Sequence, residues 1–452
     1  MVKKNAEIDV NIDHMIFPNI GIAKVEDEIV RVKGTLTGQK VKIRITKKKG
    51  DKIEGKVLEI IEKSPLEVPK GCIHFGECGG CAYQNLSYES QLHLKEGQVK
   101  AIIDEVVDNY EFLPIVESPT CTGYRNKMEF SFGDLEKDGE LALGMHKRGS
   151  FYEVVTVSGC KIIDEDYKKV LLCVLDFFKD KNLTFYKTRN HEGYLRHLVV
   201  RKAHATGQML INLVTTTQNQ VDLSMLVDNL TSLELDGNIE GILHTLNDTL
   251  SDVVKSDETR LLYGEEFITE NLLGLNFKIS PFSFFQTNSK GAEVLYTKVR
   301  EFAEDIEGKE IFDLYSGTGT IAQIMAPVAK KVTGIEIVEE AVDAARENAK
   351  LNGLDNCHFI AGDVLKEIES LEGQKPDIII LDPPREGIHP KAIHKIINFK
   401  CKEIVYVSCK PTSLAKDLEV FQERGYTVEK VQCVDMFPFT AHVETIVKLK
   451  RK

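Results

Sequence analysis

The sequence lacks any run of 18 apolar residues, so no helical membrane span is expected. Its first residues, MVKKNAEIDVNID, lack the apolar segment of a secretory signal, which leaves a cytoplasmic location as the expectation. Internal repeats and low-complexity tracts are also missing, which excludes solenoids and flexible arrays. A regular cysteine framework is absent too. Ten cysteines lie at uneven intervals along 452 residues, a pattern that suits metal binding or catalysis better than a disulfide scaffold. The length suggests two to four domains, and 42% apolar with 28% charged residues is an ordinary globular composition.

A general excess of positive charge is lacking as well, since the net charge is −12. The charge is uneven, however. The stretch KVKIRITKKKGDKIEGK at 40–56 carries eight cations against two carboxylates, a local charge of +6. Such a patch can grip a phosphate backbone on an otherwise acidic protein.

Along the chain, residues 1–62 alternate apolar and polar positions between glycines, which predicts short strands in a small antiparallel barrel. EKSPLEVPKG at 62–71 reads as a linker. YESQLHLKEGQVKAIIDEVVD at 88–108 has helical spacing, and strand-like runs such as RHLVVRKA and GQMLINLVT recur between 123 and 273. From about 274 the pattern changes to alternating helices and continuous apolar strands, the mark of a parallel sheet covered on both faces. The expected fold class is therefore α/β: a Rossmann-like domain, preceded by a small β-barrel and a central α+β domain.

In open α/β sheets, ligands bind beyond the C-terminal strand ends. The turn YSGTGT at 315–320 sits at such an end, and Gly317 lets backbone approach a ligand. Glu336 ends the next strand, 19 residues after Gly317, where a carboxylate can accept ribose hydroxyls. Asp363 ends the following strand, placed to reach an adenine. The spacing alone also admits a dinucleotide, since Ala322 is tolerated at the third glycine position. The Asp382-Pro383-Pro384 turn of IIILDPPREG decides the matter, because it resembles S-adenosylmethionine-dependent methyltransferases that act on bases.

IVYVSCKPTS at 404–413 then places Cys409 at a strand end next to that of DIIILD, if the two strands are parallel neighbours. Uracil C5 is a poor nucleophile. A thiolate that adds to C6 makes C5 nucleophilic, C5 takes a methyl group, a base removes the C5 proton and the thiolate leaves. Lys410 or a nearby sulfonium is expected to favour the thiolate. Glu444 in DMFPFTAHVETIVKLK is the candidate base, with His442 as the alternative on the same strand face.

The motifs SPFSFFQTNS, FDLYSGTGT, GIEI, LDPPR, VSCKP and DMFPFTAHVET resemble the RNA uracil-5-methyltransferase family, and the whole chain resembles its 23S ribosomal-RNA branch. The resemblance implies that Gln286, Tyr315, Glu336 and Asp382 contact S-adenosylmethionine, that Cys409 is the nucleophile and that Glu444 is the base. It departs at Lys410, where the family often has Asn. It also implies that residues 1–62 are a TRAM-like RNA-binding barrel. The other expected units are a central domain of 71–90 and 123–273 and a methyltransferase domain of 91–122 and 274–452. A target base must be flipped out of folded RNA, and Phe284 or Phe285 is expected to stack or wedge there. Arg125, Lys127, Arg196 and Arg201 are candidate phosphate contacts. A transfer-RNA uracil methyltransferase is the rival reading, disfavoured because that branch typically lacks the barrel and the cysteine cluster. A radical or non-catalytic iron–sulfur RNA-binding protein is a second rival, and the cysteine spacing differs from C-x3-C-x2-C.

GCIHFGECGGCAYQ gives Cys72-x5-Cys78-x2-Cys81, and Cys160 in VSGCKIID is the expected fourth ligand. Four thiolates suit zinc or an iron–sulfur cluster, and spacing leaves both open. The resemblance implies [4Fe-4S]. Cys121, Cys173, Cys357, Cys401 and Cys433 read as core or unassigned positions.

Overall fold

The apolar runs of the C-terminal third form the middle of an eight-stranded sheet. In the computed structural model, which describes residues 2–251, 257–368, 371 and 373–452, the strand order is Cys357–Ala361, Lys331–Glu336, Glu310–Leu314, Ile378–Leu381, Glu403–Ser408, Glu444–Arg451, Tyr426–Val434, Glu111–Val116. The first five are parallel to one another. Glu444–Arg451 runs antiparallel between two of its neighbours.

The strands read as unbroken apolar runs because each feeds two cores. Ile378, Ile380, Val405 and Val407 enter one buried cluster, while Ile379, Leu381, Ile404 and Tyr406 enter another. Successive side chains point to opposite faces, and helices cover both. The chain leaves Glu310–Leu314 in one direction and returns to its other side at Ile378–Leu381, with Leu314 and Leu381 in register. That reversal opens a crevice at the strand ends.

The helix expected over 88–108 spans Tyr88–Asp104, with the Ser87 side chain accepting from Ser90 N at 3.1 Å. Its Val99 and Ile103 pack with Leu414, Leu418 and Phe421. The following strand, Glu111–Val116, pairs in parallel with Tyr426–Val434. Residues far apart in sequence thus share one sheet.

Residues 7–62 form a six-stranded sheet around Val10, Ile12, Val30, Val32, Val41, Ile43 and Ile53. The expectation of a wholly antiparallel barrel needs one correction, because Glu28–Lys33 and Lys52–Glu62 pair in parallel. The long hairpin of Lys40–Lys49 and Lys52–Glu62 returns its second strand along the first meander, which forces that direction. The +6 patch is also diluted. Arg44 meets Glu7 at 2.7 Å, Lys48 meets Glu28 at 2.5 Å and Lys40 meets Glu62 at 3.5 Å, all carboxylates outside the basic run.

The central region is a seven-stranded sheet with helices Glu165–Lys179 and Ser224–Thr231, an α+β arrangement as expected. No helix among the described residues is long and apolar enough to cross a membrane.

One buried ion pair joins the N-terminal helix to the C-terminal sheet. Lys95 Nζ donates to Asp435 Oδ1 at 2.7 Å and to the Phe437 carbonyl at 3.1 Å. Removing one partner strands a buried charge, so Lys95→Ala should cost about 3–5 kcal/mol, read as a lower urea midpoint. Lys95→Met combined with Asp435→Leu should recover most of that loss.

Candidate active site

The turn after Glu310–Leu314 is held in unusual backbone geometry. Tyr315 (φ 72°), Gly317 (φ 53°) and Gly319 (φ 71°) all lie in the left-handed region. A bulky residue there is a true outlier, and Tyr315 N and Ser316 N both donate to the Ile335 carbonyl, at 3.0 and 2.9 Å. A Cβ on Gly319 would meet the Phe359 ring at 2.6 Å, so this glycine permits both the turn and the packing beneath it. Glu336 is fixed at the neighbouring strand end, accepting from Gly317 N at 3.0 Å and Val338 N at 2.9 Å. Asp363 caps a short helix by accepting from Leu365 N at 2.9 Å.

Asp313 was not singled out from the sequence, yet it lies fully buried beneath the turn. One carboxylate oxygen accepts from Ala322 N at 3.0 Å and the other has no partner among the described residues. Burial pushes its carboxyl up to about 8, and Asp382 and Glu336 push in the same direction. Ser316 Oγ is likewise buried and without a partner among the described residues. An acidic residue inside the apolar run EIFDL was the available signal. These orphaned polar atoms beside the Gly317 turn fit a polar, hydrogen-bond-rich cofactor.

Asp382 follows Ile378–Leu381 at the same rim, and burial raises its carboxyl to about 7. Tyr296 is a second residue the sequence did not reveal. It is buried beside Asp382, Glu444 and Asp313 and hydrogen-bonds the Gln286 side chain. Gln286 is itself placed through its carbonyl, which accepts from Asn126 Nδ2 at 2.9 Å.

The two phenylalanines before Gln286 part company. Phe284 is 67% exposed, its carbonyl accepts from Thr318 Oγ1 at 3.2 Å, and its ring lies over Gly317. Phe285 is a correction. It is buried against Phe277, with ring centroids 5.9 Å apart, and cannot stack on a base.

Two arginine expectations are also corrected. Arg196 is buried and donates to the carbonyls of Asn247 and Thr249, each at 2.8 Å. Arg201 is buried and donates to the Pro281 carbonyl at 3.2 Å and to the Ser283 carbonyl. The strand Leu195–Lys202 is covered on both faces, so both side chains are enclosed and tie loops rather than meet phosphate. Lys127 is paired with Glu129 at 2.5 Å, and Arg125 Nε donates to the Lys127 carbonyl at 3.0 Å.

Cys409 follows Ser408, which is in register with Thr445, so the thiol emerges opposite Glu444. The expected parallel pairing with Ile378–Leu381 is present, with Leu381 opposite Tyr406. Burial, Glu444 and Asp382 push the thiol up to about 11, and the positive charge of Arg385 opposes them. Burial and Asp382 raise Glu444 to about 8, again with Arg385 opposing. Arg385 is thus a cation that acts on the thiol. Lys410 is the cap of the helix Pro411–Glu423. His442 precedes the strand that starts at Glu444, so strand alternation does not place it. Burial holds its imidazole down to about 4, which makes it a weak base.

The segment leading to Glu444 is clamped from many sides. The Phe439 carbonyl accepts from Ala82 N and Tyr83 N at 2.8 and 2.9 Å, and Phe439 N donates to Gln91 Oε1 at 2.8 Å. Tyr124 Oη donates to the Pro438 carbonyl at 2.9 Å, and Asn288 Nδ2 to the Met436 carbonyl at 2.9 Å.

Ala82 directly follows the cysteine run. Cys78, Cys81 and Cys160 each feel their neighbouring thiols electrostatically, and Cys72 is among those neighbours. Gly80 N donates to Cys78 Sγ at 3.4 Å and Gln84 Nε2 to Cys81 Sγ at 3.6 Å. Among the described residues no three His, Cys, Asp or Glu side chains form a group that could hold a single metal ion.

A parallel sheet core with a strand-order reversal, a left-handed Gly-rich turn and strand-end carboxylates defines a Rossmann-like domain, and the Asp382-Pro383-Pro384 turn at its rim is that of a methyltransferase. The tRNA (Uracil-5-)-methyltransferase family matches residues 198–452. An uncharacterized RNA methyltransferase of Clostridium tetani is 52% identical over 452 residues, covering 100% of this chain and 99% of its own. One from Caldanaerobacter subterraneus subsp. tengcongensis is 50% identical over 449 residues, covering 99% of each. The crystal structure of Pyrococcus abyssi tRNA (uracil-54, C5)-methyltransferase in complex with S-adenosyl-L-homocysteine superposes with a TM-score of 0.76 at 27% identity, covering 97% of this chain and 100% of that one. The chain belongs to the RNA uracil-5-methyltransferase family and is an S-adenosylmethionine-dependent RNA methyltransferase. Because a transfer-RNA enzyme aligns with 97% of the chain, the N-terminal strand domain does not argue against a transfer-RNA substrate, and that expectation is corrected.

Arg385→Ala should raise the thiol pKa further. Alkylation of Cys409 at pH 8, followed by peptide mapping, should then slow by about tenfold, the effect of roughly one pKa unit. Lys410→Ala should leave that rate within about twofold of the parent.

Proposed function

We propose that this protein forms 5-methyluridine in 23S ribosomal RNA. Cys409 is the nucleophile and Glu444 the base. The observation that carries this reading is the meeting of Cys409, Glu444, Asp382 and Arg385 at one strand edge. Gln286, Tyr315, Gly317, Glu336, Asp363 and Asp382 would hold S-adenosylmethionine. That cofactor supplies one methyl group from its sulfonium.

The Cys409 thiolate adds to C6 of the flipped uracil, and the electron pair moves to the C4 carbonyl as an enolate. Arg385 stabilises the thiolate before attack. C5 becomes nucleophilic and takes the methyl group. The Glu444 carboxylate then accepts the C5 proton, the ring double bond re-forms and the thiolate departs. A carboxyl raised to about 8 becomes a strong base once ionised, which suits removal of a carbon-bound proton. Phe284, exposed over the Gly317 turn, would wedge the gap left by the base. Residues 1–62 act as the TRAM-like RNA-binding barrel. The remaining chain divides into a central domain of 71–90 and 123–273 and a methyltransferase domain of 91–122 and 274–452.

Resemblance of the whole chain to the ribosomal branch supports 23S RNA. The second reading is transfer RNA, favoured by likeness to an enzyme that acts on uracil 54 of tRNA. Fluorine at C5 cannot leave as a proton does, so 5-fluorouridine RNA should trap a covalent adduct. Wild-type protein should be trapped on 23S RNA, and Cys409→Ala should form none. An adduct on transfer RNA alone would overturn the ribosomal reading, and an adduct with the Cys409→Ala protein would overturn the nucleophile.

Cys72, Cys78, Cys81 and Cys160 hold a [4Fe-4S] cluster in this reading. Four gathered thiols, two with N–H donors at sulfur, suit sulfur ligation. The cluster would tie the 72–81 loop to the Cys160 loop. Protein purified anaerobically should carry about four irons per chain, and Cys78→Ala should lose them. Stoichiometric zinc without iron would overturn the assignment.

A further inference from the structure

Three large apolar side chains stand out above all others in exposure among the described residues: Phe151 at 87%, Ile73 at 73% and Tyr152 at 71%. Phe151 and Tyr152 form the tip of a hairpin in the central sheet, between the strands Leu141–His146 and Val154–Val155. The tip is not slack. Lys147 N donates to the Glu153 carbonyl at 2.8 Å and Ser150 N to the Lys147 carbonyl at 3.0 Å. Ser150 Oγ accepts from Tyr152 N at 3.3 Å and Glu153 N at 3.2 Å. Two rings are thus held outward on an ordered backbone.

The hairpin is also anchored. Gly79 N donates to the His146 carbonyl at 3.0 Å, and Arg148 N to the Glu77 carbonyl at 2.7 Å. The Arg148 guanidinium bonds the Cys81 carbonyl and lies 5.5 Å from the centre of the Phe75 ring. On its other side it lies against the turn at Gly34 of the N-terminal sheet, next to exposed Lys33. Glu153, a carboxylate at the tip, is neutralised by Lys147 at 2.7 Å.

Strand register sets the direction. Ser131 pairs with both Gly144 and His197, and Lys127 pairs with Arg201. The strands Leu141–His146 and Leu195–Lys202 therefore end on the same side of the sheet. Arg201 at that end holds the Pro281 and Ser283 carbonyls next to Phe284. The aromatic tip and the Pro281–Ser283 segment that leads to Phe284 thus lie toward the same end of the central sheet.

We propose that Phe151 and Tyr152 are a stacking platform for unpaired bases of the substrate RNA outside the target uridine, with Arg148 and Lys33 facing the adjoining phosphates. The proposal rests on the reading of this chain as an enzyme that methylates uracil in RNA. Exposed, rigid rings with cations beside them match the way single-stranded nucleic acid is held, by stacking and phosphate contact. A protein partner would call for a broader apolar patch than two rings flanked by Arg148, Gly149 and Ser150.

The test uses the full chain with Phe151→Ala and Tyr152→Ala combined, and RNA made with 5-fluorouridine, both 23S ribosomal RNA and total transfer RNA. Whichever RNA the wild-type protein traps should bind the double variant about tenfold or more weakly, with KM for RNA raised to match. Phe151→Trp with Tyr152→Phe should restore binding. S-adenosylhomocysteine affinity and the urea midpoint serve as fold controls, since both rings are exposed. Unchanged RNA affinity with normal trapping would overturn the platform and leave a protein partner as its occupant. Failure of the wild-type protein to trap either RNA would overturn the underlying reading instead.

Discussion

A buried lysine meets a buried carboxylate 2.7 Å away, and two ends of the chain are joined there. Lys95 comes from the helix Tyr88–Asp104, and Asp435 from the segment that runs to Glu444. The same ammonium also bonds the Phe437 carbonyl, so it fixes backbone as well as charge. Gln91, Tyr124, Asn288 and the amides after Cys81 complete the hold on 436–439. A base that must reach one carbon-bound proton needs its strand placed to a fraction of an ångström. Here that placement is set largely by residues from the first third of the chain, with Asn288 from the catalytic half.

The second constraint is electrostatic. Asp313, Asp382, Glu336 and Glu444 lie at adjacent strand ends, and burial raises three of them toward or above neutrality. Like charges packed so closely resist full ionisation. Arg385 is the counterweight for Cys409 and Glu444. A site of this kind favours a cationic ligand over a neutral one of the same shape, which accords with a sulfonium donor and a thioether product.

Much of this was legible in the sequence because strand ends are where α/β sheets place ligands. The continuous apolar runs gave the parallel sheet, and Gly317, Glu336, Asp382 and Cys409 followed from where the runs stop. Other features needed three dimensions. Arg385 is far from Cys409 along the chain, so Lys410 drew attention by adjacency alone. Asp313 and Tyr296 were hidden inside apolar segments. Arg196 and Arg201 read as solvated cations until the sheet turned them inward against carbonyls. Phe285 differs from Phe284 only by which side of one peptide faces the core. The basic run at 40–56 lost much of its field to Glu7, Glu28 and Glu62, which only strand pairing brings near.

The edge strand Glu111–Val116 has a consequence for biosynthesis. Its partner Tyr426–Val434 leaves the ribosome hundreds of residues later, as the bond from Gln432 to the Pro114 carbonyl, 318 positions apart, makes plain. Until residues 426–434 emerge the early strand has a bare row of amides and carbonyls, and the sheet cannot close before residues 444–451 follow. Nascent chains halted short of that point keep an open β-edge, a template for pairing with other chains.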